Sequence, residues 1–189
     1  MKDTRENIID AFFRLAEKNP TLSQITIAQV AEEANISKQT IYRKHYSSTQ
    51  DIISDMHRLV DEQILKELTH HPITKGTSPF KIISEVALPI VYEHRNWLKV
   101  LYNTSIDGAW MNFLTDNLNE WALLALQGAG QRVGIPQEML CKIVIKHSTT
   151  IISEWISEEL PIHPTTFSKI YLNLVQLSLN DLVSDDCKL

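Results

Sequence analysis

The segment from Ile25 to Tyr46, ITIAQVAEEANISKQTIYRKHY, constrains the fold more than any other part of this 189-residue chain. Thr26 stands where a helix N-cap belongs, and Gln29 follows three residues later in the capping-box pattern. Ile27, Val30, Ala31 and Ala34 then recur at helical spacing and define one apolar face. Asn35 tolerates the left-handed backbone that ends a helix sharply, Ile36 can anchor the turn, and Ser37 is a good N-cap for a second helix. On that second helix Ile41 points back toward Val30 and Ala34, which leaves Lys38, Gln39, Thr40 and Arg43 facing outward. Ala31 lets the two helices approach closely. This is the layout of a helix-turn-helix, whose second helix enters a DNA major groove by its N-terminal residues.

Charge supports the same reading. From Asn35 to Gln50 there is no Asp or Glu, while Lys38, Arg43, Lys44 and His45 all fall inside that stretch. Residues 1–50 carry seven Lys or Arg against six Asp or Glu, and the rest of the chain carries eleven against seventeen. DNA contact is therefore expected only in the N-terminal part, since an acidic surface repels phosphate. The overall charge of −5 is no obstacle, because binding depends on the local face.

On these residues the segment resembles the DNA-binding region of the TetR (tetracycline repressor) family of bacterial helix-turn-helix transcription regulators. The resemblance extends upstream through ENIIDAFFRLAEKN and downstream into DIISDM, so that it covers roughly the first 56 residues. It implies that Thr26 and Tyr42 touch the phosphate backbone and that Lys38, Gln39 and Thr40 read base edges. Ser37, Arg43, Lys44, His45 and Tyr46 complete the expected DNA-binding set. Two positions depart from the family pattern. Asn35 replaces the usual turn glycine, which is a mild change. After the second helix the family reads Tyr-x-His-Phe-x-x-Lys, with the Lys gripping a phosphate. Here His45 and Tyr46 match only with one residue inserted, and the Lys position falls on Thr49. Either Arg43 or Lys44 supplies the missing charge, or one phosphate contact per subunit is absent and the salt slope is shallower by about one per half-site.

The remainder of the chain reads as helix. At 43% hydrophobic residues it can bury a substantial core, and five glycines with long helical periodicities point to an all-α chain. Breakers divide it into helices over 49–69, 79–94, 97–103, 108–127, 136–159 and 165–183, about nine in all, with no strand and no repeat. Pro89 is expected to kink or end its helix. HHPITKGTSP and GAGQRVGI are expected loops. No 18-residue apolar run occurs, and MKDTRENIID turns charged at once, unlike a signal peptide. Two isolated cysteines, Cys141 and Cys187, suit a reducing cytoplasm.

The last two helices carry a second clue. Ile143, Ile151, Ile152 and Trp155 face a segment that is apolar on more than one side. There Phe167, Ile170, Tyr171, Leu174, Leu177 and Leu182 can face the body, while Leu172, Val175 and Leu179 need another cover. A second copy of the chain would supply it as a four-helix bundle, although one thick core is the alternative. The TetR resemblance further implies a small-molecule effector pocket in the body. Candidates for its lining are Tyr92, Trp97, Tyr102, Trp110, Phe113, Trp121 and Trp155, with His147 or Asn103 as polar groups. An aromatic stripe is more often plain core, so each of these has a bland reading beside it.

Other motifs fail. Gly128-Ala-Gly130-Gln-Arg-Val-Gly134 has its third glycine one residue late for a dinucleotide fingerprint and no strand before it. Ser78-x-x-Lys81 lacks the partners of an acylating serine. His70-His71 has no nearby ligand cluster, so no metal is expected. No nucleophile-base constellation points to an enzyme, and no cofactor is implied.

The expectation is thus an all-α, cytoplasmic transcription regulator with a three-helix helix-turn-helix domain over 1–48. A helical effector-binding and dimerisation domain would occupy 49–189. Its partners would be a double-stranded DNA operator, a second copy through the last two helices, and an unidentified small effector that releases it as a repressor; no membrane is involved. The alternatives are an activator or coactivator of the same fold controlled by a protein partner, and an interaction module with degenerate DNA binding.

Overall fold

A computed structural model of the chain describes residues 3–19, 24–73, 78–103 and 108–177, with the backbone alone for 102–103 and 108–113. Three helices form the N-terminal head: α1 (Thr4–Lys18), α2 (Ile27–Glu33) and α3 (Lys38–Lys44). The long α4 (Thr49–His70) leads into a body of α5 (Pro79–Glu93), α6 (Arg95–Asn103), α7 (Gly108–Ala125), α8 (Ala129–Val133), α9 (Gln137–Ser157) and α10 (Pro164–Leu174). Among the described residues there is no strand. No helix there is long and apolar enough to cross a membrane.

One apolar core runs through both parts. α1 buries Ile8, Ile9, Ala11, Phe12, Phe13 and Ala16 on a single stripe, as helical periodicity requires. It packs on α2, α4 and α6. Its link to α6 is specific: Trp97 donates its indole N–H to Asp10 at 2.9 Å and lies stacked on Phe13 with centroids 6.2 Å apart. α4 starts at a capping box, with Ser48 accepting from the Asp51 amide and Asp51 reaching back to the Ser48 amide. Its inner face includes Ile53, His57, Val60, Asp61, Ile64 and Leu68, all buried. α4 touches α1 at one end and α5 and α7 further on.

Four expectations need correction. First, GAGQRVGI is not all loop, because Ala129–Val133 closes one short helical turn, α8. The glycines at both ends, Gly128 and Gly134, take left-handed φ of 74° and 75°. Gly130 lies so close to the next segment that a Cβ would meet Ile135 O at 2.8 Å. Gln137 pins this turn by accepting from the Gly130 amide at 3.0 Å and donating to Leu126 O at 2.8 Å.

Second, of the two outcomes expected at Pro89, α5 does not end there but runs on to Glu93, within one residue of the expected helix end. Pro89 lies on an exposed face, where water can solvate the carbonyl that loses its partner. Third, the last helix ends at Leu174, with Val175 as its cap, well before 183. Residues 178–189, including Leu179, Leu182 and Cys187, lie outside the described residues.

Fourth, α10 packs mainly on α5 rather than on α9. Phe167 and Tyr171 are buried as expected, but Ile170 is 42% exposed, whereas Leu172 and Val175 pack partly against the core. The helix is therefore turned relative to the expected orientation. Tyr171 donates to Ser148 Oγ at 3.0 Å, and burial pushes its hydroxyl up to about 12. The Trp155 ring stacks on Phe167 with centroids 4.2 Å apart, and its indole N–H donates to Ile162 O at 3.0 Å.

Candidate nucleic-acid interface

Local chemistry fixes the turn between α2 and α3. The Thr26 hydroxyl accepts from the Gln29 amide at 3.3 Å, and Gln29 Oε1 accepts from the Thr26 amide at 2.9 Å, which is a complete capping box. At the other end of α2, Asn35 adopts φ 54°, the single positive φ outside glycine among the described residues. The Ile36 amide donates to Ala31 O at 2.9 Å and the Asn35 amide to Glu32 O at 3.1 Å, the hydrogen-bond pair of a Schellman motif. Asn7 of α1 donates to Ala34 O at 3.0 Å and ties this corner to the head. Ser37 then caps α3 by accepting from the Thr40 amide at 3.0 Å, and its hydroxyl meets Thr40 Oγ1 at 2.7 Å.

Ile41 is fully buried and plants α3 on the head, as its spacing predicts. Lys38, Gln39, Tyr42, Arg43 and Lys44 are exposed; Thr40 and His45 are half-buried. Lys38 Nζ lies over the Tyr42 ring, 5.6 Å from its centroid. Thr26 is exposed one turn away, although its hydroxyl already donates to Gln29 Oε1 at 2.8 Å. Ser37 is exposed as well. The result is a rigid cationic and amide-bearing ridge with no carboxylate on it. Such a ridge can donate to phosphate oxygens and to base-edge acceptors.

Tyr46 is placed differently from the rest of the expected set. It is buried, and its hydroxyl donates to Asp55 Oδ2 on α4 at 2.6 Å. Asp55 also accepts Arg5 Nε of α1 at 2.5 Å and Arg58 Nη2 at 2.8 Å, with a second bond from Arg5 Nη2. Burial opposes ionisation of Asp55, but the hydrogen bonds from Arg5, Tyr46 and Arg58 together outweigh it and hold the carboxyl well below its usual range. Burial, then the bond to Asp55, raises the Tyr46 hydroxyl. This cluster joins α1, the end of α3 and α4 in one knot. Sequence reasoning missed Arg5 and Asp55, because nothing in their spacing marks a pairing fifty residues apart.

The body contains a cavity of about 70 Å³ walled by α4, α5, α6, α7 and α9. Of the expected effector-pocket residues whose side chains are described, Trp121 alone lines it. Tyr92 and Trp155 stack on each other elsewhere, 5.9 Å between centroids, and Trp97 is committed to α1. His147 is exposed on α9 and faces away from the core. The side chains of Tyr102, Asn103, Trp110 and Phe113 lie outside the described residues. Among the described residues, the polar groups that line the cavity are Asp61, Ser148 and Thr149 with the Trp121 indole. Asp61 had a readable signal, since a carboxylate occupies the apolar stripe of α4 between Val60 and Ile64. Among the described residues no group of three or more His, Cys, Asp or Glu is gathered as a metal site.

Comparison with known proteins agrees with this geometry. Residues 23–48 match the family model described as the helix-turn-helix domain of resolvase. No curated protein matches the chain in sequence. Its structure is similar to that of NalD from Pseudomonas aeruginosa, the secondary repressor of the MexAB-OprM multidrug efflux pump. That likeness covers 92% of this chain and 94% of NalD, with a TM-score of 0.66 and 16% identity. A second similar structure is the TetR family repressor AlkX from Dietzia sp., implicated in biodegradation of n-alkanes, with 91% and 93% coverage, a TM-score of 0.49 and 18% identity. All-helical over its described residues, with a helix-turn-helix at the N-terminal end, the chain shares the fold of NalD.

Proposed function

We propose that the chain is a sequence-specific transcription repressor that binds operator DNA through α3 as a homodimer and leaves it when a small molecule enters the body. The observation that carries this reading is the exposed, acid-free face of α3, held rigidly by the caps at Thr26 and Ser37. Lys38, Gln39 and Thr40 stand at the N-terminal end of α3, the end a recognition helix presents to base edges. Tyr42, Arg43 and Lys44 continue toward the phosphates. Tyr46 acts as a positioning residue through Asp55 and does not itself touch DNA.

Residues 1–48 serve as the DNA-binding head and 49–189 as the effector and dimerisation body. Exposed apolar side chains on the last two helices, Met139 and Ile143 of α9 and Ile170 of α10, favour a second copy as their cover. A two-fold dimer would set its recognition helices about 34–36 Å apart, one turn of DNA. NalD is itself a repressor, which supports the sign of regulation.

The test is selection from random duplexes at about 100 mM salt, where attraction to phosphate is not yet screened out. A palindromic motif with half-sites about one helical turn apart is expected. Weak, salt-sensitive retention without any enriched sequence would defeat the reading.

A further inference from the structure

The outward face of α9 carries a row of residues spaced four apart: Lys142, Lys146, Thr150, Glu154 and Glu158, all exposed. Four lie within α9 and Glu158 is its C-cap. Steps of four follow one ridge of an α-helix, so the row extends over about 24 Å. Both lysines stand on one side of Thr150 and both glutamates on the other, at equal steps. Among the described residues none of these four charges is in an ion pair. On α4, by contrast, Arg58 and Glu62 use the same spacing to pair at 3.1 Å. Like charges four apart repel on one helix, so the order along α9 gains nothing within a single chain. Exposed apolar side chains repeat the pattern. Met139 and Ile143 are 52% and 48% exposed near the start of α9, and Leu160 and Ile162 are 87% and 43% exposed just past its end.

We propose that α9 recognises itself: two copies of the chain pack with their α9 helices antiparallel and crossing at Thr150. In that register Lys146 meets Glu154 of the partner subunit, and Lys142 meets Glu158 of the partner subunit. The two-fold axis repeats both pairs. Ridges of four-residue steps interlock at about −50°, the commonest helix crossing, so the inner pairs are closer than the outer ones. The start of one α9 lies beside the end of the other, which brings Met139 to the partner's Leu160 and the partner's Ile162. Thr150 folds its hydroxyl back onto Lys146 O at 2.9 Å, which leaves a small, self-satisfied residue at the axis. A parallel pairing sets like charges face to face, and slipping the register by one turn loses half of the pairs. A chain whose matching helix orders its charges differently is therefore refused. The inference deepens the homodimer reading and rests on it; it adds the register and the charge pattern that selects the partner.

Sedimentation equilibrium of the full chain at about 100 mM salt tests it. Lys142→Glu with Lys146→Glu makes the charges of the row wholly acidic; Glu154→Lys with Glu158→Lys makes them wholly basic. Each double variant should dimerise at least about tenfold more weakly than the wild type, because like charges then face each other. Mixed, the two should form a one-to-one heterodimer at least as tight as the wild-type dimer, a rescue that misfolding cannot produce. The wild-type dimer should weaken several-fold between about 50 and 500 mM salt, as exposed pairs are screened. In a Cys187→Ser background, Thr150→Cys should cross-link to its own copy on mild oxidation, since a residue at the axis lies within disulfide reach of itself.

Double variants that dimerise like the wild type, folded variants that fail to associate when mixed, or a wild-type dimer indifferent to salt would overturn the charge pairing. Thr150→Cys dimers that do not cross-link would overturn the register. Each of these results leaves the homodimer reading standing, whereas a monomeric wild type would sink both.

Discussion

The head and the body treat their polar groups in opposite ways. In the helix-turn-helix, caps are satisfied by partners three residues away: Thr26 with Gln29, Ser37 with Thr40, Ser48 with Asp51. The side chains left over point outward. In the body, the informative polar groups are buried among aliphatics: Asp61, Ser148, Thr149 and the Trp121 indole. Local satisfaction makes a rigid surface that can be read by a large, flat partner. Buried polarity in an apolar cavity discriminates among small partners, because an unmatched group there costs far more than in water.

The largest effect should come from stripping the outward face. Lys38→Ala, Arg43→Ala and Lys44→Ala combined should lower DNA affinity at least about a hundredfold and flatten the salt slope by about one for each phosphate no longer neutralised. The melting temperature should barely move, because these side chains are exposed. Fluorescence anisotropy over a salt series with parallel calorimetry reads both; unchanged affinity would erase the distinction between the two regions.

Next is the knot at Asp55. Asp55→Asn should cost roughly 2 kcal/mol in urea unfolding, since Arg5 and Tyr46 lose a charged partner. Because the folded carboxyl titrates below its ordinary value of 3.8, its contribution is full above that pH and is lost as pH falls below it. The wild type should therefore lose its advantage over Asp55→Asn on acidification, and a constant difference down to strong acid would refute the ion-pair account. DNA affinity should fall too if Tyr46 sets the pose of α3.

Smaller effects belong to the turn. Ser37→Ala should destabilise by about 1 kcal/mol through the missing cap. Asn35→Gly should be neutral or slightly stabilising, whereas Asn35→Ala should cost about 1 kcal/mol at its left-handed φ. Thermal unfolding of the three variants orders them, and an Asn35→Ala protein as stable as Asn35→Gly would show that the corner is held by packing alone.

The turn was legible because its signals are local. Thr26, Gln29, Asn35 and Ser37 each specify a hydrogen bond within a few residues, and all four act as their types predict. The cavity was not legible from its aromatics. Trp97 and Trp155 look alike as pocket residues in sequence, but each indole is taken elsewhere, Trp97 by Asp10 far back in the chain and Trp155 by Ile162 O beyond the end of its own helix. His147 lies on the outer face of α9 because Ser148 and Thr149, its neighbours, take the inner one. The rotation of α10 was also beyond reach, since a helix apolar on several sides does not say which neighbour it will meet. AGQRV could not be recognised as helical because a five-residue helix between glycines has too few positions to show a period.

α4 runs for 22 residues with neither glycine nor proline, about 33 Å at the usual helical rise. Asp55 and Asp61 sit on it six residues apart, one holding the end of α3 and the other lining the cavity. A helix without breakers has no soft joint in which to dissipate a displacement. It behaves as a stiff lever whose two working points lie about 9 Å apart along its axis. A shift at one point is therefore delivered to the other at nearly full amplitude. Its sensitivity is set by the leverage of the rod, and a single glycine introduced between the two aspartates would act as a slipping clutch.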